Sequence, residues 1–409
     1  MPEPTLGSTA GMLAQIAGTG RDRHRGGYSR PVFAPAEREL VDWWTEQVRR
    51  RGLEVETDRN GILWSWWNPT GRPLRDGVVT GSHLDSVPGG GAYDGPLGLA
   101  SALRSLDLLR EREIDPVRPL GLAVFPEEEG SRFGVACLGS RLLTGAIDPE
   151  RARSLTDPDG RSFADAARGA GIDPRHLGRD DETLSRIGRF VELHVEQGRG
   201  LVDREAPVAV ATSILGHGRW RVSVHGQGNH AGTTLLADRR DPMVTAAGVV
   251  LAVRRVAAAH PGARATVGRL VPVPGGTNVI ASRVDLWLDV RHAEDAVTAA
   301  VVAEITRRAQ VVAGEEGCSV EVREESSSPT VDFDPALRDR LGAVLPTAPL
   351  LATGAGHDAG VLAAHVPTAM LFTRNPSGVS HSPEEHVTDD DAELGSSALA
   401  DVLADLLTT

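Results

Sequence analysis

The sequence predicts an α/β fold: a sheet covered by helices on both faces, with a smaller βαββαβ domain inserted into it. Three observations predict this. Short apolar runs at 77–80, 120–125, 190–193 and 368–372 read as buried strands, and helical segments such as 97–110 lie between some of them. The last three runs lead straight into polar clusters, which places ligands outside the strand ends. Between about 213 and 327 the pattern changes to half-exposed strands and two further helices.

Taken in order, residues 36–51 (PAERELVDWWTEQVRR begins one residue earlier) form an amphipathic helix that ends near Gly52. In the inserted segment, Trp220, Val222 and Val224 alternate as a strand with one buried face does. Asp241 is the expected N-cap of the next helix, with Pro242 at its first position. Strands are expected at 264–273 and 278–290. A second helix carries Val297, Val301, Ile305 and Val312 at close to a 3.6-residue period. A last strand at 319–323 is expected to end before a serine linker at 326–328. The order βαββαβ is that of a ferredoxin-like domain. A larger domain is therefore expected from 1–212 and 328–409, and an inserted domain from 213–327.

Composition excludes whole classes of chemistry. The chain has 409 residues, with 43 Lys+Arg against 56 Asp+Glu and a net charge of −13, and every one of those cations is arginine. Without lysine there is no Schiff base, no phosphate-loop lysine and no Ser–Lys amide hydrolysis. Any fixed positive charge is a guanidinium, whose planar fork suits carboxylates. The acidic balance argues against nucleic acid or an anionic membrane as partner. The N-terminus shows no basic leader and no run approaches a membrane span, so a cytoplasmic location is expected. Cys137 and Cys318 make no disulfide framework.

Five segments carry metal-ligand chemistry. GSHLDSVPGGGAYDG holds His83, Asp85 and Asp94; the H-x-D spacing lets the Asp85 carboxylate take the second ring N–H of His83. FPEEEGSRFG places Glu127, Glu128 and Glu129 side by side after an apolar run, where they repel one another unless cations compensate them. VELHVEQG contributes His194, GAGHDAG His357 and GVSHSPEEH His381. Any one of these is more often structural than functional, and their coincidence at strand ends is the signal. Glu385 and His386 beside His381, and His24, His176, His260 and His365, are read as structural. So are Cys137 and the Trp64, Trp66, Trp67 cluster.

Together the motifs GSHLDSV, YDGPLG, EEGSRFG, ELHVEQG, NHAGTT, GGTNVI, DVR and GAGHDA resemble the dinuclear-metal aminoacylase and exopeptidase superfamily, in its hydantoinase/carbamoylase branch. The resemblance runs from GGYSR to SHSPEEH and implies a mixed-sheet catalytic domain. It implies two divalent ions per subunit (zinc, manganese, cobalt or nickel) bridged by Asp94, with His83 and His194 on one and Glu129 and His381 on the other. Glu128 would be the general base acting through a metal-bridging hydroxide, and Asp85 would orient His83. From the inserted domain, His230 would stabilise the oxyanion, and Asn278 and Arg291 would hold the substrate carboxylate. Gln197 and His357 would also contact substrate. A homodimer through the inserted domain is implied as well. Histidine at position 194, where related peptidases carry an acid, marks the carbamoylase branch. Two departures from the family pattern, Leu235–Leu236 after HAGTT and Ala281 after GGTNVI, fall near the expected carboxylate pocket.

The expected activity is hydrolysis of linear ureido or carbamoyl acids, with allantoate first and an N-carbamoyl-L-amino acid second. Alternatives are removal of another small acyl group such as formyl, a dipeptidase or aminoacylase, and a non-catalytic binding or scaffold relative.

Overall fold

The structure, a computed structural model, describes residues 7–409. The first six residues, part of the N-terminal stretch read as lacking a leader, lie outside the described residues. The chain divides into two compact units, residues 1–212 with 332–409, and residues 213–331.

The first unit is built on a nine-stranded mixed sheet. At its centre four strands run parallel in the order Leu120–Phe125, Gly77–His83, Ile187–Val195, Thr368–Thr373. Antiparallel strands flank this group, Leu63–Trp67 on one side and Val208–Ile214 on the other. All residues of Gly77–His83, Leu120–Phe125 and Thr368–Thr373 are buried, as are six consecutive ones in Ile187–Val195. Burial without alternation means that both sheet faces are covered, which is the environment parallel strands require. Pro96–Glu111 and Asp389–Leu407 pack against the sheet and each other, with Thr9–Ile16 beside them. Leu138–Thr144, Asp181–Arg186 and Asp358–Leu362 form a second group.

Parallel direction is what positions the chemistry. Because the four strands point the same way, their C-terminal ends share one edge, and each releases its polar cluster there. His83 and His194 leave adjacent strands whose connections diverge, Gly77–His83 leading to Leu120–Phe125 on one side and Ile187–Val195 to Val208–Ile214, beyond Thr368–Thr373, on the other. Such a reversal of strand order opens a crevice.

In the second unit an antiparallel sheet has the order Ser319–Ser328, Gly216–His225, Arg283–His292, Arg264–Val273. Pro242–Ala259 and Asp295–Glu315 pack on it. The buried side is Trp220, Val222, Val224, Val284, Leu286, Leu288 and Val290 with helix residues such as Val249, Val301 and Ile305. Asp241 caps its helix, Oδ1 accepting from the Met243 amide at 2.9 Å. That helix has a mean hydropathy of 1.4 over 18 residues; its buried residues Thr245, Ala246, Val249, Ala252, Val253 and Val256 face the sheet and its partner helix, while Met243, Val244, Val250 and Leu251 are exposed.

Two sequence expectations are corrected here. The strand expected at 278–290 is two: Val279–Ile280 pairs with Asn229–His230, and Arg283–His292 joins the large sheet. The serines at 326–328 are no linker; after a bulge they continue the strand, pairing with Arg219, Gly218 and His217. Backbone pairing along an open strand overrides their weak β-propensity. In Asp295–Glu315 the buried stripe is Thr298, Val301, Ile305, Ala309 and Ala313, so Val297 and Val312 lie at its margin.

Candidate metal centre

The site is built at the shared strand edge of the first unit. His83, the last residue of Gly77–His83, has no exposed surface. Its Nδ1 donates to the main-chain carbonyl of Asp85 at 2.9 Å, and the Asp85 carboxylate lies farther away, at 3.7 Å. The bond expected from the H-x-D spacing is therefore made by the backbone. The Asp85 carboxylate instead accepts from the amides of Glu128 and Glu129, each at 3.1 Å, and so braces the acidic turn after Leu120–Phe125. His194 repeats the arrangement, with Nδ1 donating to the Val195 carbonyl at 2.9 Å.

A carbonyl only accepts, so both rings carry a proton on Nδ1 and turn Nε2 inward. Nε2 of His83 is 3.5 Å from Asp94 Oδ1, and Nε2 of His194 is 3.2 Å from the same oxygen. Both nitrogens are buried and make no hydrogen bond. On the other side, His381 Nε2 is 3.3 Å from Asp94 Oδ2 and 3.3 Å from Glu129 Oε2. Of three groups with metal-ligand spacing among the described residues, two share Asp94, His83–Asp94–His194 and Asp94–Glu129–His381; the third, Glu192–His194–His357, does not contain it. Buried imidazole nitrogens aimed at a shared carboxylate, with a further acid and histidine beyond it, fit a pair of divalent cations in N/O coordination.

The electrostatics demand positive charge there. Burial works against a charged His83, yet Glu128 and then Asp94 overcome it and hold the ring's pKa well above its usual value. Burial alone would raise Asp94, but the close approach of the His194, His381 and His83 rings pulls it well below the usual carboxylate range. Glu129 is raised to about 7, chiefly by burial and then by Asp94. His381 is raised to about 9, chiefly by its hydrogen bond with Asp94. A cation held at these positions would displace protons from Glu129 and His381, which would link metal uptake to pH.

Two glycines make the turn possible. Gly95 has φ +84°, and a Cβ there would lie 2.5 Å from the His83 carbonyl oxygen and 2.6 Å from His83 Nδ1. Gly91 opens the space filled by Glu385.

Glu128 stands apart from both ligand groups. Its carboxylate reaches 3.7 Å from His83 Nε2 on one side and 3.7 Å from His357 Nδ1 on the other. Burial drives its pKa well above the usual range, with His83 opposing. Cys137, buried as the packing reading expects, donates its thiol to Glu128 Oε1 at 3.8 Å. His357 is kept neutral, well below its usual pKa, by burial and then by His194, whose ring is 4.4 Å away. Gln197 donates to Asp94 Oδ2 at 3.0 Å, so its amide meets the shared carboxylate.

His230, Asn278 and Arg291 belong to the second unit. The NHAGTT and GGTNVI segments meet in a ladder in which Val279 opposes His230 and the Ala231 amide donates to the Asn278 carbonyl. His230 Nδ1 accepts from the Gly232 amide at 3.1 Å, which leaves Nε2 as the ring's donor. Arg291 shares a strand face with Asp289 and forks onto it, Nε to Oδ1 at 2.7 Å and Nη2 to Oδ2 at 3.1 Å. Leu235 and Leu236 are 71% and 83% exposed, whereas Ala281 is buried.

Sequence reasoning set Glu385 aside as structural and did not single out Glu192 or Asp358. Glu385 accepts from the Tyr93 and Asp94 amides. Glu192 accepts from Ser82 Oγ at 3.0 Å and from the Ala359 amide at 3.1 Å, tying together the segments that carry His83, His194 and His357. Asp358 accepts from Ser140 Oγ. Glu192 was within reach of the strand period, because two residues before His194 is the same face.

Residues 79–405 match peptidase family M20/M25/M40. The chain is 35% identical over 378 residues, 91% of its length and 92% of the relative's, to an N-carbamoyl-L-amino acid amidohydrolase of Geobacillus stearothermophilus. It is 30% identical over 389 residues, 93% of each chain, to the allantoate amidohydrolase of Escherichia coli K12. The chain belongs to peptidase family M20/M25/M40, in its hydantoinase/carbamoylase branch. A hydantoinase/carbamoylase-family amidase from Burkholderia multivorans has the same fold, with a TM-score of 0.87 at 28% identity, covering 98% of this chain and 97% of that one. The M20 chain described here is thus a metal-dependent amidohydrolase acting on non-peptide C–N bonds, and its two ligand groups are the candidate metal positions.

Proposed function

We propose that this M20 amidohydrolase cleaves the carbamoyl group of a linear ureido acid, releasing ammonia and carbon dioxide and leaving the amine. The observation that carries the reading is the convergence of His83 and His194 on one oxygen of Asp94 and of His381 on the other, with Glu128 outside both groups. His83, His194 and Asp94 would hold one divalent ion, and Asp94, Glu129 and His381 a second. When bound, such ions supply Lewis acidity toward a carbonyl oxygen and lower the pKa of water.

The chain's own groups do the rest. Glu128, buried and uncoordinated, takes a proton from the attacking water and delivers it to the nitrogen as the C–N bond breaks. Asp85 fixes Glu128 through its amide. Neutral His357 lines the carbonyl side without adding charge. His230 brings an Nε2–H donor suited to the developing oxyanion. Asn278 and Arg291 hold the substrate carboxylate, the guanidinium exchanging its Asp289 fork for the ligand's. The second unit would close over substrate and serve as the dimer contact.

Between the two expected substrates we favour an N-carbamoyl-L-amino acid with an apolar side chain. Leu235 and Leu236 offer an exposed apolar pair beside the His230 segment, which suits such a side chain better than the polar second ureido arm of allantoate. The 35% identity to the Geobacillus stearothermophilus relative points the same way. The test is ammonia release from the reconstituted protein with N-carbamoyl-L-leucine, allantoate, β-ureidopropionate and N-formyl-L-leucine. Carbamoyl-leucine should turn over fastest, and Arg291→Ala should raise its KM by about 10–100-fold, the range of a charged hydrogen bond. Turnover of the formyl compound alone would reject the ureido-acid reading, and an unchanged KM would reject Arg291 as the clamp.

A further inference from the structure

The segment that carries His381 also carries Glu385, an acid with 4% exposure that belongs to neither ligand group. Its Oε1 accepts from the Tyr93 amide at 3.1 Å and from the Asp94 amide at 3.0 Å. Its Oε2 accepts from Ser380 Oγ at 3.2 Å, beside His381. One carboxylate therefore fastens two loops 291 residues apart in sequence, the Asp94 turn and the His381 segment. The space is made for it by Gly91. A Cβ there would lie 2.1 Å from Glu385 Oε1 and 2.4 Å from its Cδ, and Gly91 has no left-handed φ that would otherwise call for glycine.

Burying a carboxylate is costly unless its oxygens are satisfied, and a buried amide is costly unless it finds an acceptor. The Tyr93 and Asp94 amides and Glu385 meet each other's needs. The result fixes the backbone from which the Asp94 side chain projects, the one carboxylate whose two oxygens must face histidines on opposite sides. His381 itself has a left-handed φ of 55°, a region uncommon for residues other than glycine.

We propose that Glu385 is a positioning residue for the metal centre: it clasps the Asp94 turn to the His381 segment, so that both ligand groups keep their spacing around the shared carboxylate. This rests on the reading of Asp94 as the shared metal ligand. Outer groups that orient metal ligands commonly contribute about 10–100-fold to affinity.

The test needs no substrate. Metal-stripped full-length protein is titrated with Co²⁺, followed by its visible absorption and by competition with a chelator. Glu385→Ala should weaken uptake by about 10–100-fold and change the Co²⁺ spectrum. Glu385→Gln should stay near wild type, because its amide oxygen still accepts from both backbone amides and its nitrogen can donate to Ser380 Oγ. Should circular dichroism show that Glu385→Ala does not fold, Gly91→Ala displaces the carboxylate without removing it and should give the same loss. Wild-type affinity and an unchanged spectrum in Glu385→Ala, or in Gly91→Ala where that variant stands in, would overturn the clasp. So would a Glu385→Gln protein as weak as Glu385→Ala. A wild type that takes up no Co²⁺ would overturn the metal reading first, and the clasp with it.

Discussion

Glu128→Gln is expected to keep its metals and lose about 10²–10⁴ in kcat, the usual contribution of a positioned general base. The substitution preserves size and removes the ability to carry a proton. Glu128 belongs to neither ligand group, so its loss should leave metal content intact. The amide that holds it is anchored on Asp85 whatever the side chain, so the turn should keep its shape. The neighbouring acid, Glu129, faces His381, and Glu129→Gln should instead lose metal. Metal content by atomic emission and kcat for ammonia release measure both effects. Turnover near wild type in Glu128→Gln would remove Glu128 as the base.

The second large effect is expected from His230→Ala. Its ring accepts at Nδ1 from the Gly232 amide, which commits Nε2 to donating. A donor aimed at the developing oxyanion is typically worth about 10²–10³ in rate. The loss should fall on kcat, with metal content and the Tm of the protein unchanged, since His230 is exposed and its ring contact is local. His230→Gln, which keeps an N–H donor, should recover part of the rate. A His230→Ala enzyme with wild-type kcat would show that the oxyanion is stabilised elsewhere.

The parallel core was legible because buried strands write themselves as unbroken apolar runs, as in 120–125, and because the polar residues that follow mark the strand ends. Helix boundaries followed from Asp241 and Pro242, whose side chains have one local use. Errors fell where pairing with another strand decides the outcome. Nothing in the serines at 326–328 announces that the backbone of 217–219 will take them up. The break at Ala281 depends on Val279–Ile280 finding His230 and Asn229 as neighbours.

The site shows the same division. Motifs named the residues that turn inward, since histidines and acids at strand ends have few other purposes in that density. They did not say which atom meets which. The H-x-D spacing suggested a carboxylate for His83 Nδ1, and a carbonyl took it because the turn brings Asp85 O closer than its side chain. Glu385 was read as merely structural because its partners at the Asp94 turn are backbone amides, which carry no signature in sequence.

The central claim is that catalysis depends on divalent cations held around Asp94. The direct measurement is ammonia release from N-carbamoyl-L-leucine by metal-stripped protein as Mn²⁺, Zn²⁺ or Co²⁺ is added back, with bound metal counted per subunit and Asp94→Ala run in parallel. The account expects the stripped protein to be inactive, activity to return as two ions per subunit are taken up, and Asp94→Ala to recover neither. Full turnover by metal-stripped protein, or wild-type metal uptake by Asp94→Ala, would contradict it.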